Sequence, residues 1–173
     1  MAGSAVPARR QPPSLLSRQG LGMLIGFILL SAVVSGIGGG VTTPEIDGWY
    51  RLLPKPGFTP PDWLFAPVWS ALYLMMAVAA WRVWRASGLG HARGALRLHL
   101  AQLALNLAWS VLFFGLHLTG AALIDILLLL IAIVLTTRAF MAHDRIAGLL
   151  MLPYIAWVGY ATALNTGIWL SMP

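Results

Sequence analysis

Cysteine is absent from the 173 residues, and charge is scarce, with 9% of positions Asp, Glu, Lys or Arg. Without cysteine there are no disulfide staples, no thiolate metal ligands and no thiol nucleophile. Without charge there is little to cover a water-facing surface, since an ordinary soluble domain carries about 25% charged residues. Acidic residues are few, five against eleven Lys and Arg, for a net charge of +6. No glycine-rich phosphate loop, nucleophile–base pair or cluster of metal-ligand spacing stands in the sequence, so hydrolytic and acid–base chemistry lack their usual groups. His91, His99, His117 and His143 are scattered at the ends of apolar runs, where solvated or interfacial imidazole is the ordinary reading.

What is present is apolar: 59% of the chain, against about 45–50% in a soluble domain. The apolar residues fall in five runs, 20–41, 64–84, 98–118, 121–138 and 146–170. A spanning helix needs about 17–25 such residues, and all five runs meet that length. As core helices of a soluble protein they would leave almost nothing for a polar shell. An outer-membrane barrel would alternate apolar and polar residues, whereas ALIDILLLLIAIVL is apolar on every side. The expected fold is therefore an all-α integral membrane protein, a compact five-transmembrane-helix bundle over residues 20–173. Residues 1–19 read as a disordered tail, and the first run, with no A-x-A cleavage site after it, is expected to be retained. Loop 42–63 carries Pro44, Pro54, Pro56, Pro60 and Pro61 and is expected to be stiff and structured.

The basic residues indicate a direction. Arg9, Arg10 and Arg18, then Arg82, Arg85, Arg93 and Arg97, then Arg138 and Arg145 all fall on one side of a five-helix bundle. For a bacterial inner membrane this predicts a cytoplasmic N-terminus and an external C-terminus. The positive charge is then topology, and no nucleic-acid partner is expected.

Polar groups inside the runs carry more information because they are few. Gln102, Asn106, Trp109 and Phe113 share one helix face, as do Trp157, Ala161 and Asn165, and Trp69, Tyr73 and Met76. Amides in lipid must find partners, so Gln102, Asn106 and Asn165 are expected to point inward. They serve there either as glue between helices or as the polar points of a cavity. Asp125 reads as an interface residue or helix-terminal group; as a proton relay it lacks a visible partner. Of eight tryptophans, Trp49, Trp63, Trp81, Trp84 and Trp169 sit near run ends, where an interfacial belt places them. Trp69, Trp109 and Trp157 sit deeper, on faces that already hold polar groups. Indoles with a few amides suit a flat, mostly apolar ligand; simple core packing is the competing account. Gly22 and Gly26, and the Ala101–Ala104–Ala108 face, permit close helix approach, the latter as a homodimer seam or within the bundle.

The stretch WYRLLPKPGFTPPDWLFAPVWSALY at 49–73 resembles the first loop and second-helix start of the translocator protein family, which includes TspO/MBR, the tryptophan-rich sensory proteins and the peripheral-type benzodiazepine receptors. AQLALNLAWSVLFFG at 101–115 and LPYIAWVGYATALN at 152–165 are similar to its third- and fifth-helix signatures. The resemblance implies a five-helix, usually dimeric bundle, inner-membrane by charge or outer-membrane as in some relatives, with a cavity beneath the first loop. It implies porphyrins such as protoporphyrin IX as ligands, no required cofactor and no metal. It places the pocket among Gly36, Trp49, Phe58, Pro61, Trp63, Trp69, Tyr73, Asn106, Trp109, Phe113, Trp157, Ala161 and Asn165. Arg51 and Lys55 are the cations available to ligand carboxylates at the loop mouth. Bacterial relatives that break down porphyrin in light use tryptophans matching Trp69 and Trp157, so an enzyme and a transporter stand as alternatives to a receptor-like binder. Three departures stand out: Phe58 replaces a usual tryptophan, Asp62 a usual basic residue, and Thr166 and Leu170 replace the Tyr and Arg of the animal sterol motif. Sterol binding is accordingly not expected.

Overall fold

The computed structural model describes residues 17–172, so residues 1–16 of the expected tail lie outside the described residues. Ser17 starts α1 (Arg18–Asp47) by accepting the Gly20 N–H at 3.0 Å, satisfying one of the amides a helix start leaves unpaired. Arg18 and Gln19, expected in the tail, are already helical. α1 also runs on past 41, because contacts beyond the apolar run hold it: Val41 lies against Gly115 and Glu45 against His117. The expected loop 42–63 is thus partly helical, with α2 (Trp49–Leu52) and a 3-10 turn, Asp62–Leu64.

The expected second and third helices form one element, α3 (Phe65–Ser110), bent at Gly88. With its flanking turns the helical stretch covers 54 residues. Straight, it would measure about 80 Å at 1.5 Å per residue, far beyond a hydrocarbon core of about 30 Å. It doubles back. Tyr73 meets Asn106 and Met76 meets Gln102, pairs centred just after the glycine. Gly88 has φ 68° and ψ 167°, a conformation only glycine adopts readily. The connection 84–97 is helical rather than a loop because, apart from glycines, its Ala, Arg and Leu are good helix formers. Among the described residues, four apolar helical stretches therefore make five crossings.

α3 ends in a π-helical turn, Val111–Gly115, and His117 takes a left-handed backbone (φ 57°) before α4 (Thr119–His143). The last crossing is α5 (Arg145–Leu150) and α6 (Leu152–Ser171), broken at Met151, with Pro153 tolerated in the first turn of α6. α4 outruns the expected 121–138, and α5 with α6 together slightly outrun the expected 146–170. The core is drawn from every crossing after α1 and includes Met76, Ile126, Ile133, Phe140, Met151 and Tyr154. α1 is the least covered. Leu21, Ile25, Leu29, Val33 and Ile37, each four residues apart, form an exposed apolar line toward lipid.

Packing corrects two expectations, for the Trp81–Trp84 pair and for His99, and decides a third in favour of the interface, for Asp125. Trp81 and Trp84 are 8% and 4% exposed, inside the bundle and not in a belt, and the Trp81 indole donates to the Gly20 carbonyl at 2.9 Å. The bend at Gly88 keeps that end of α3 folded against α1. Trp63 and Trp169 are exposed, as a belt requires. His99 is fully buried between Phe27 and Phe140, with Gln102 at 3.1 Å from its Nδ1. Asp125 lies in the second turn of α4, so it does not cap that helix; it is buried and its Oδ2 has no partner among the described residues.

The Arg-rich end is closed by one carboxylate. Arg82 donates two hydrogen bonds of 2.9 Å to Asp144, which also caps α5 by accepting the Ala147 N–H at 2.7 Å. The Arg82 hydrogen bond holds the Asp144 carboxyl below its usual range against the opposing cost of burial. A depressed folded value means stabilisation present above the unfolded pKa of about 3.9, lost as pH falls through the folded one. Asp144→Ala is expected to cost about 2–4 kcal/mol near neutral pH, from charged hydrogen bonds and a lost cap. In thermal unfolding of detergent-solubilised protein, the difference from wild type should shrink on acidification; an undiminished difference in strong acid would refute the assignment.

Candidate functional site

At the opposite end the first loop is folded down onto the bundle. Tyr50 is 3% exposed, packed on Phe65, Phe113 and Phe114. Burial, with the nearby carboxylate of Asp62 adding to it, raises its hydroxyl to about 12, so it is neutral in physiological conditions. Lys55 donates to the Tyr50 carbonyl at 3.1 Å and sits 4.5 Å above its ring. Pro56 rests on Gly167 of α6, where an added Cβ would come within 2.4 Å of its ring. The Tyr160 hydroxyl donates to the Phe58 carbonyl at 2.6 Å. Trp49 stacks on His117 at 4.1 Å, and His117 Nε2 lies 3.1 Å from Glu45.

That last contact fastens α1 and the loop to the α3–α4 corner. A stacked ring with an exposed hydrogen bond is worth about 1 kcal/mol. His117→Ala is therefore expected to speed amide exchange across 53–61 by about fivefold. Exchange there at the wild-type rate would show that His117 does not hold the loop.

Beneath the loop lie two spaces. One, about 170 Å³, opens between α1 and the two arms of α3. Gly38, Gly39 and Thr42 line it from α1, Trp69 and Tyr73 from the first arm, and Asn106 and Trp109 from the second. The other is a void of about 20 Å³ bounded by Tyr50, Phe113, Ala161 and Asn165. Phe65 and Trp109 line both and form the wall between them.

The polar groups in this region are spent on each other. Tyr73 donates to Asn106 Oδ1, and Asn106 Nδ2 donates to the Tyr154 hydroxyl at 3.0 Å, joining both arms of α3 to α6. Trp109 Nε1 donates to Asn165 Oδ1 at 3.1 Å, and Asn165 Nδ2 donates to the Thr119 carbonyl at 2.9 Å. The amides thus point inward and connect helices. Trp157 stands apart from the larger space. It packs edge-on against Phe65 and beside Tyr160, and its indole N–H has no partner among the described residues.

The structure brings Trp69, Tyr73, Asn106 and Trp109 around one space and Trp109, Phe113, Ala161 and Asn165 around the other. It does not bring Gly36 to either: that residue is exposed on the outer side of α1, and Gly38 and Gly39 take the position facing inward. Trp63 and Pro61 are exposed on the loop. Arg51 is exposed beside Asp47 at 3.8 Å, while Lys55 is turned to Tyr50. Phe65, Tyr50 and Tyr154 are central here without having been singled out in the sequence. Phe65 could have been found as the residue one turn before Trp69; Tyr50 and Tyr154 carry no local signal. Among the described residues no group of three or more His, Asp or Glu is placed to hold a metal ion.

A helical, multi-pass membrane protein with an aromatic hollow braced by side-chain amides beneath a folded loop is the class that fold and site define. Comparison with known proteins narrows this. The chain belongs to the TspO/MBR family, whose model matches residues 27–170. It is 42% identical over 150 residues to the tryptophan-rich protein TspO of Chlorobaculum tepidum, covering 84% of this chain and 90% of that one. The TspO of Archaeoglobus fulgidus is 38% identical over 147 residues, 85% of this chain and 95% of that one. The translocator protein of Homo sapiens is 38% identical over 148 residues, 84% and 87% of the two chains.

Proposed function

We propose that this protein is a receptor-like binder of porphyrins, protoporphyrin IX and haem-type tetrapyrroles, and of similar flat hydrophobic molecules. The observation that carries the reading is that Trp69 and Trp109 face the same hollow, with Phe65 and Phe113 extending the aromatic surface under the loop. Each ring against a flat ligand adds about 0.5–1.5 kcal/mol beyond area burial. The hollow is smaller than the roughly 300–1,000 Å³ of a drug-sized site, so binding moves Phe65 and joins the two spaces. Arg51, exposed at the mouth, is the first cation to meet a ligand carboxylate. Lys55 becomes available once it leaves Tyr50.

The test is a tryptophan-fluorescence titration of detergent-solubilised protein. Protoporphyrin IX and haem are expected to quench saturably and to compete, while cholesterol displaces neither. Quenching that rises linearly without saturation would defeat the proposal. The reading includes a homodimer through Ala101, Ala104 and Ala108, supported by their small side chains and by the exposure of the first two. Ala104→Trp is then expected to convert dimer to monomer in light scattering.

A further inference from the structure

The larger hollow is lined from α1 and the two arms of α3, and no residue of 47–64 lines it. Beside it lies a second groove, about 220 Å³, between α1 and the first arm of α3. The two spaces adjoin along Ser35, Ser70 and Tyr73, and together they reach from the loop end of α1 to its middle. Leu74, which lines the groove from α3, is exposed, as is Ala32, which lines it from α1. The rim is apolar and faces acyl chains.

Ser31 marks this groove as more than a packing gap. It lines the groove, is 2% exposed, and its Oγ has no hydrogen-bond partner among the described residues. A helical Ser or Thr ordinarily satisfies its hydroxyl on the carbonyl four residues earlier. Ser70 does so on Ala66 at 2.8 Å, and Thr136, Thr137, Thr162 and Thr166 do likewise. Ser31 thus leaves a polar group unsatisfied in the wall of the groove, at the depth where lipid offers no partner.

We propose that this groove is the route by which the ligand of the hollow arrives, sideways from the bilayer and not through the loop. The proposal rests on the binding reading above. The traveller is a flat, mainly apolar molecule carrying a hydrogen-bonding group that the Ser31 hydroxyl meets on the way in. The upper end of the path reaches Thr43 and Ile46 near the end of α1. The carboxylates of an amphiphile therefore stay at headgroup level while its ring moves between the helices.

The absence of cysteine allows a clean test, because one introduced thiol reacts alone. Ala32→Cys, exposed on the groove, is labelled after reconstitution with a bulky methanethiosulfonate reagent that a reductant removes. Ala163→Cys on the lipid face of α6 and Gly57→Cys on the loop receive the same label. Protoporphyrin IX preloaded in protein-free vesicles is then mixed with the proteoliposomes, and the quenching time course is followed. The Ala32 label is expected to slow quenching about tenfold or more, leave the final amplitude within about twofold, and release its effect on reduction. The other two labels are expected to leave the rate unchanged. An unslowed rate with the Ala32 label, or slowing by the Gly57 label instead, overturns the lateral route while binding stands. Absence of saturable quenching in unlabelled wild type overturns the binding reading, and the route with it.

Discussion

Trp109→Ala is expected to lose both stability and at least about tenfold in porphyrin affinity, because one side chain serves both. The indole is 9% exposed, stacks on Phe113 at 5.4 Å and meets Phe114 edge-on at 5.8 Å. Truncating a buried tryptophan costs about 3–5 kcal/mol. It also removes the donor to Asn165 Oδ1, though Asn165 keeps its own bond to Thr119. The wall between the two spaces goes with it. Trp109→Phe separates these roles. An aromatic ring remains while the N–H and part of the indole's bulk are lost, so the stability cost should fall to about 1–3 kcal/mol, one interhelical hydrogen bond plus a small cavity. Thermal unfolding and the quenching titration on both variants give the comparison. A wild-type binding curve for Trp109→Ala would remove this residue from the site.

The second large effect is expected at Asn106. Its side chain accepts from Tyr73 and donates to Tyr154, so replacing it with leucine of similar volume strands two buried hydroxyls at once. Each stranded polar group costs about 1–3 kcal/mol, giving a loss of about 2–4 kcal/mol after partial relaxation. Removing the hydroxyls should then rescue. Tyr73→Phe and Tyr154→Phe are each destabilising alone but milder in the Asn106→Leu background, the non-additivity expected of residues in one network. Additive losses across the double-mutant cycle would mean that the three groups do not act together.

The helices were legible because lipid imposes a rule that composition reveals directly: any segment crossing it must satisfy its own backbone, and five runs of the right length are long enough to do so. Their ends were less legible. α1 reaches Asp47 through contacts of Val41 and Glu45, and nothing in TTPEID announces them. The reversal at Gly88 was readable only as a charged gap between two runs, since the helix continues through it with one residue displaced. Helix-face spacing correctly turned Gln102, Asn106, Trp109 and Asn165 inward. It could not say that Trp81 and Trp84 turn inward as well, or that His99 is sealed between Phe27 and Phe140.

By itself the sequence determines a five-crossing helical membrane protein of the TspO/MBR family, with indoles and amides gathered on inward faces. Run length, scarcity of charge and a period of 3.6 residues are properties of a single chain segment and need no neighbour to be read. Tertiary structure alone decides that Trp69 and Trp109 share a hollow while Trp157 stands behind Phe65, and that Gly38 rather than Gly36 faces it. Periodicity assigns a residue to a side of its helix. Which helix covers that side, and how closely, depends on packing between segments far apart in the chain.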